Sequence, residues 1–398
     1  MIYADAAATT PVHREVLAAM WPYLTAEFGN PSSAHELGER AADALAAARE
    51  QVAAAFGARP GEVVFTSSGT EANTLGIVGL ALGAVTSHRR GRHIITSATE
   101  HPSVFAATDH LQRWHGFEVT VLDVTPDGQV TVAALSAALR ADTALVSIHY
   151  ANNEIGAMQD VERLSSLARE EGALFHTDAV QGACGIPISL TKLGVDALSI
   201  SGHKIGAPKG IGALVMKATA PFEPPLAGGS QERGRRPGTQ NVAGAVGLGV
   251  AAAKLAARRN DPNTGVAALT ACRDALISGV LSQVPGAILT GPDPRHALLE
   301  RHPGHASFCF PGANGEAVLR ELERLGVIAS AGSACAAGRE DPSPVLLALG
   351  LSPEVAQTSM RLTFDAPLDV GVVIAAVARA VAAVRRLAES PAGEGFLA

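Results

Sequence analysis

Cysteine is scarce in this chain. Its 398 residues hold four, Cys184, Cys272, Cys309 and Cys335, far apart and never as a CxxC pair. Such spacing excludes a disulfide framework and a thiolate zinc site, and it fits a reducing compartment. No uninterrupted apolar stretch of about 18 residues occurs, so no membrane span is expected. Met1-Ile2-Tyr3-Ala4-Asp5 lacks the basic and then apolar regions of a secretory signal. A surplus of positive charge is missing as well. The formal charge is −7, which argues against direct nucleic-acid binding. The short basic run His88–His93 reads as a solvated loop. His296, His302 and His305 lie among Pro and Gly without the i, i+4 spacing of a helical metal site, and they read as loop residues. No metal site, internal repeat or low-complexity tract is expected. These absences point to a cytoplasmic globular protein.

An apolar fraction of 47% supplies a sizeable core. Short β-branched runs at Glu62–Ser67, His93–Ser97, Glu118–Leu122, Ala144–His149, Ala173–Thr177, Ala197–Ser201 and Gly212–Met216 alternate with helical stretches at Glu71–Leu82, Val104–His115, Val132–Arg140 and Val161–Glu171. This alternation predicts an α/β fold with a largely parallel sheet covered on both faces. The close spacing of the last two runs allows one antiparallel strand. After Asn241 an Ala-rich helix runs to Arg259. A smaller α+β region follows, with a helix at Ala267–Gln283 and strands near Ala287–Leu289, His305–Phe310 and Val327–Ser330. The expected division is 16–260 as a large domain, with 1–15 and 261–398 as a small one.

Two apolar runs end in groups that are costly to bury. One ends at Asp178 and the other at Ser201-Gly202-His203-Lys204. A lysine after a buried strand must be paired or neutralised. A Schiff base to an aldehyde cofactor does the latter, and pyridoxal 5'-phosphate (PLP) also needs an acid at its pyridine nitrogen. Both residues fall at strand carboxyl ends, where open α/β sheets take ligands. Either one alone also fits a surface Lys or a capping Asp. Phe65-Thr66-Ser67-Ser68-Gly69-Thr70-Glu71 is a strand, a small-residue turn and a helix start. It can cradle a phosphate or be an ordinary capped turn. It is neither a Walker loop nor GxGxxG. His101 can stack on an aromatic cofactor and shuttle protons, or cap the helix near Ser103. Asn152-Asn153 can contact a cofactor or simply make a turn. Ser330–Gly338 is a run of small residues that predicts a mobile loop, and this setting favours an accessible, reactive Cys335 over a buried one. The other three cysteines read as structural.

These segments resemble the PLP-dependent cysteine desulfurases of the class V aminotransferase group. The resemblance rests on Tyr3–Pro11, Gly29–His35, Asn152–Gly156, Ser201–Lys204, Arg236-Pro237-Gly238-Thr239 and Gly332–Cys335, and runs nearly end to end. It implies fold type I, with a mainly parallel seven-stranded sheet. It implies Lys204 as the Schiff-base lysine, Asp178 at the pyridine nitrogen and His101 over the ring. Gln181 and Asn153 would contact the phenolate region, with Asn153 also near substrate. Gly69, Thr70, Ser201 and His203 would hold the phosphate, joined by Thr239 from the second subunit of a homodimer. Arg361 would clamp the substrate carboxylate, a task suited to guanidinium. Cys335 would accept sulfur from L-cysteine as a persulfide, releasing L-alanine and serving sulfur-acceptor proteins such as an iron–sulfur scaffold or a thiolation enzyme. Selenocysteine lysis or another class V reaction is the alternative. The chain departs from the usual pattern at Ser68, Gly206-Ala207 and Thr363-Phe364-Asp365.

Overall fold

The computed structural model describes residues 1–88, 90–296, 300–332 and 341–389. In chain order its strands are β1 (Ile2–Tyr3), β2 (Val63–Thr66), β3 (His93–Ser97), β4 (Glu118–Leu122), β5 (Thr143–Ser147), β6 (Leu174–Asp178), β7 (Ala197–Ser201), β8 (Gly212–Met216), β9 (Ile288–Leu289), β10 (His305–Cys309), β11 (Val327–Ile328) and β12 (Ser359–Thr363). A seven-stranded sheet has the order β2-β8-β7-β6-β5-β3-β4. The pairs from β4 through β7 are parallel, and β8 is antiparallel to both β7 and β2. Only a short connection separates β7 from β8, too short for the crossover that a parallel pair requires. Because β2 and β7 both oppose β8, β2 points the same way as the parallel strands. The carboxyl ends of β2, β3, β5, β6 and β7 therefore share one edge.

Successive strand residues enter different cores, as the two-residue period of a strand requires. Val64, Ile94, Leu145 and Leu214 pack with Leu75, Val78 and Leu111 of two helices, Gly69–His88 and Pro102–His115. Phe65, Ile95, Val146 and Val215 join a second cluster with Val52, Leu248 and Leu255 of the helices Glu36–Ala55 and Val242–Arg258. Both faces are covered, which is why the strands read as continuous apolar runs.

A third core gathers Ala4, Leu276, Phe308, Leu322, Met360 and Val377. It packs on the antiparallel sheet β12-β10-β9, while β1 pairs with β11 in parallel. The N-terminal strand thus returns to elements more than 300 residues later in sequence. His305 is not a loop residue. His305 opens β10 and is buried, and His302 is buried beside it. His302 Nδ1 accepts the Gly304 N–H at 3.2 Å, and burial pulls its ring down to about 4. His93 opens β3, as expected, with its ring between Thr143 and Thr120, at 2.9 and 2.8 Å. His305 is thus a strand residue, whereas His302 stays in a loop that packs into the core.

Candidate active site

Five strand ends build one cavity of about 550 Å³. At the end of β6, Asp178 is buried, its Oδ2 accepting from Asn73 Nδ2 at 2.6 Å and its Oδ1 from the Val180 N–H at 2.9 Å. Burial pushes this carboxyl above its usual range, and nearby His101 opposes the shift. In the neighbouring strand, a single 3-10 turn after β7 delivers Lys204. Its Nζ donates to the carbonyls of Ala7 and, at 3.0 Å, Ala8. Burial lowers the lysine from its ordinary value, so the neutral amine that nucleophilic chemistry needs becomes accessible.

After β2 the chain turns into the helix Gly69–His88. The Ser68 hydroxyl accepts the Glu71 N–H at 3.1 Å, capping the first turn. A Cβ at Gly69 would stand 2.7 Å from Val180 Cγ2 and 3.1 Å from Ser201 Cβ, so the close approach of this helix start to β7 favours glycine. Its amide end and dipole suit an anion. After β3, His101 lines the cavity and also caps the next helix, its Nδ1 accepting the Ser103 N–H at 3.1 Å. Both readings of His101 are compatible in one residue. After β5, Asn152 makes the turn by accepting the N–H groups of Glu154 and Ile155 at 2.8 and 2.9 Å, and Asn153 faces the cavity. Gln181 donates to the Ala7 carbonyl at 3.0 Å. His203 lies 3.2 Å from the Thr9 hydroxyl, and burial with the adjacent Lys204 charge lowers its ring to about 4.

Arg361 enters from β12 and is 1% exposed. One terminal nitrogen donates to Asp5 Oδ1 at 2.9 Å, the other to the carbonyls of Asn153 and Gly332 at 2.9 and 2.8 Å, and Nε has no partner. Gly69, Thr70, His101, Asn153, Asp178, Gln181, Ser201, His203, Lys204 and Arg361 all line the cavity. Thr239 does not; it is exposed. Cys335 lies outside the described residues. The other three cysteines stay structural: burial pushes the Cys184 and Cys309 thiols up to about 12 and raises Cys272. Sequence reasoning missed Asn73, whose Oδ1 is buried without a partner beside Asp178. Its signal was a lone amide in an otherwise apolar helix, one turn after the phosphate-type turn. It also missed Asp5 and the Ala7 and Ala8 carbonyls, where backbone atoms carry the contact.

The model for the class V aminotransferase family matches residues 2–366, and the chain belongs to that family. It is 43% identical over 362 residues to the cysteine desulfurase IscS of Dictyoglomus turgidum, an alignment covering 91% of this chain and 89% of the relative. Among solved structures, a NifS-like protein matches with a TM-score of 0.83 at 32% identity, covering 97% of this chain and 98% of that one. A structure described as SspA in complex with cysteine matches with a TM-score of 0.77 at 35% identity, covering 92% and 99%. The α/β architecture is that of PLP enzymes of fold type I. The cavity fits such a cofactor: a half-buried amine answered by carbonyls, a buried carboxyl on the adjacent strand, an unpaired Asn73 oxygen and a close-packed helix start are all present.

Proposed function

We propose that the chain is a PLP-dependent cysteine desulfurase, working as a homodimer and passing sulfur to acceptor proteins. Lys204 would hold PLP covalently and Asp178 would pair with the pyridine nitrogen. Asn153 and Gln181 would meet the phenolate, and His101 the ring. Gly69, Thr70, Ser201 and His203 would take the phosphate, with Thr239 of a second copy; its exposure on its own chain supports that assignment. Bound PLP supplies an electron sink for the carbanion formed at the substrate α-carbon.

The chain's own residues do the rest. Arg361 orients L-cysteine by its carboxylate. Lys204, lowered by burial, removes the Cα proton. The Cys335 thiolate then attacks the substrate sulfur. An S–S bond forms, and the Cβ–S bond breaks with its electron pair left on carbon. Protonation of that carbon completes the methyl group, and return of a proton to Cα by Lys204 completes L-alanine. The balance is L-cysteine plus an enzyme thiol giving L-alanine plus an enzyme persulfide. An ordinary thiol with a pKa of ~8.5 is mostly protonated at neutral pH, so a local base such as His101 or the substrate amine assists.

The observation that carries this reading is the juxtaposition of half-buried Lys204, just after β7, and buried Asp178, at the end of the paired strand β6, in one cavity with Arg361. Wild-type protein should carry a visible chromophore that borohydride fixes to the Lys204 peptide. Lys204→Ala should lose both that linkage and turnover. A reducible linkage at another lysine would overturn the assignment.

A further inference from the structure

Glu154 is a cavity-lining carboxyl that the assignments above leave without a task. Burial raises it from its ordinary value, against the pull of Ser343 and Arg361. Its main chain is fixed, since Asn152 Oδ1 accepts the Glu154 N–H at 2.8 Å. The Ser343 hydroxyl donates to Glu154 Oε2 at 2.5 Å while accepting the Leu346 N–H at 3.2 Å, at the start of the helix Pro344–Ala348. On the other side stands Gly332, in the left-handed region at φ 84°. A Cβ on Gly332 would lie 3.8 Å from the same Oε2. Gly332 and its neighbour are held as well: Arg361 donates to the Gly332 carbonyl at 2.8 Å, and Ser359 to the Ala331 carbonyl at 2.8 Å. Ser343, downstream of Cys335, is therefore bonded to this carboxyl, while Gly332, upstream of it, lies close by and is held by the arginine assigned to substrate.

We propose that Glu154 is a positioning residue for sulfur transfer, pinning through Ser343 the chain downstream of Cys335 next to Gly332 upstream of it. This rests on the desulfurase reading. Fixing both ends of a segment restricts where its side chains reach and raises the effective concentration of a group it carries. Glu154 acts through Ser343, not on the reacting atoms. Its loss should therefore affect the Cys335 attack and spare the earlier removal of the Cα proton by Lys204.

The test compares two rates on PLP-loaded protein: exchange of the cysteine Cα hydrogen with solvent deuterium, and alanine formation. Glu154→Ala and Ser343→Ala should each slow alanine formation about ten- to hundredfold, the scale of a misplaced reacting group, with exchange changed by less than about threefold. Glu154→Gln keeps an acceptor for the Ser343 hydroxyl and should recover most of the lost rate. Alanine formation unchanged in the Glu154→Ala or Ser343→Ala holoenzyme would overturn the proposal. So would a parallel fall of both rates, which marks a general structural defect. If Glu154→Ala fails to load cofactor, Ser343→Ala decides, since it removes a single hydroxyl. Failure of the underlying reading looks different: wild-type protein would then form no sulfur adduct at Cys335.

Discussion

Lys204 and Arg361 are two cations taken out of water by opposite means. Lys204 Nζ meets backbone carbonyls, which do not fully offset the loss of solvent, and its ammonium is lowered. The fold gives Arg361 a carboxylate, Asp5, and two carbonyls; in the proposed function this holds its planar guanidinium for a substrate carboxylate. A lysine there would lose the planar fork and could not serve all these acceptors together. Arg361→Lys should raise KM for cysteine about tenfold or more, the scale of a lost charge-assisted hydrogen bond, with PLP still bound; an unchanged KM in steady-state kinetics would contradict that role. Lys204 and Asp178 were legible in sequence because ionisable groups that end apolar runs stand out. Asn73, His302 and His305 were not, because the packing that makes them buried is formed by segments distant in sequence.

Among the elements, the helix Gly69–His88 shows how packing constrains a sequence. A Cβ at Gly83 would lie 2.5 Å from the Phe222 amide nitrogen and 2.5 Å from the Pro221 carbonyl carbon, and neither backbone atom can turn aside. Gly83→Ala should therefore destabilise the fold by about 1–3 kcal/mol, the usual range for overpacking, read as a lower urea midpoint. An unchanged midpoint would mean that the segment at Phe222 is free to move. The strands β3, β4, β7 and β8 coincide with the runs expected from sequence, since β-branched residues bounded by turn residues mark them clearly. Several helices, among them Arg14–Leu24, Glu36–Ala55, Gly315–Arg324 and Val370–Glu389, are not evident from sequence, and neither are β1 and β12. Glu36–Ala55 is largely alanine, which gives little apolar periodicity, and it is held by packing on Val242–Arg258. β12 hides its strand character because Arg361 occupies its centre.

At the scale of the molecule, separate cores support a division we propose at 16–260 and at 1–15 with 261–398. The cavity lies between them, with Lys204 and Asp178 from the first and Arg361 from the second. Among the described residues no helix is long and apolar enough to cross a membrane. Low-lying histidines contribute to the loss of stability in acid. Burial holds His176 down at about 3 and His302 at about 4, and half-buried His203 is held at about 4 by burial with the Lys204 charge. The unfolded chain binds these protons near pH 6.5. This stability is thus fully present above pH 6.5 and is lost as pH falls toward 4. His302→Asn, which keeps an acceptor for the Gly304 N–H, should flatten the slope between pH 6 and 4.5 by up to about 1.4 kcal/mol per pH unit, one proton's worth. Equal slopes in pH-dependent urea unfolding would show that His302 is protonated in the fold.

The central claim is that Cys335 takes the sulfur after Lys204 and PLP have activated cysteine. The most direct measurement is peptide mass spectrometry of the PLP-loaded protein after brief incubation with L-cysteine, alongside Cys335→Ser. The account predicts a sulfur adduct on the Cys335 peptide alone, with no adduct and little alanine from Cys335→Ser, which should still bind PLP. Cys184 and Cys309 are poor substitutes, as burial keeps both thiols protonated. An adduct on the Cys309 peptide, or near-normal alanine formation by Cys335→Ser, would contradict the account.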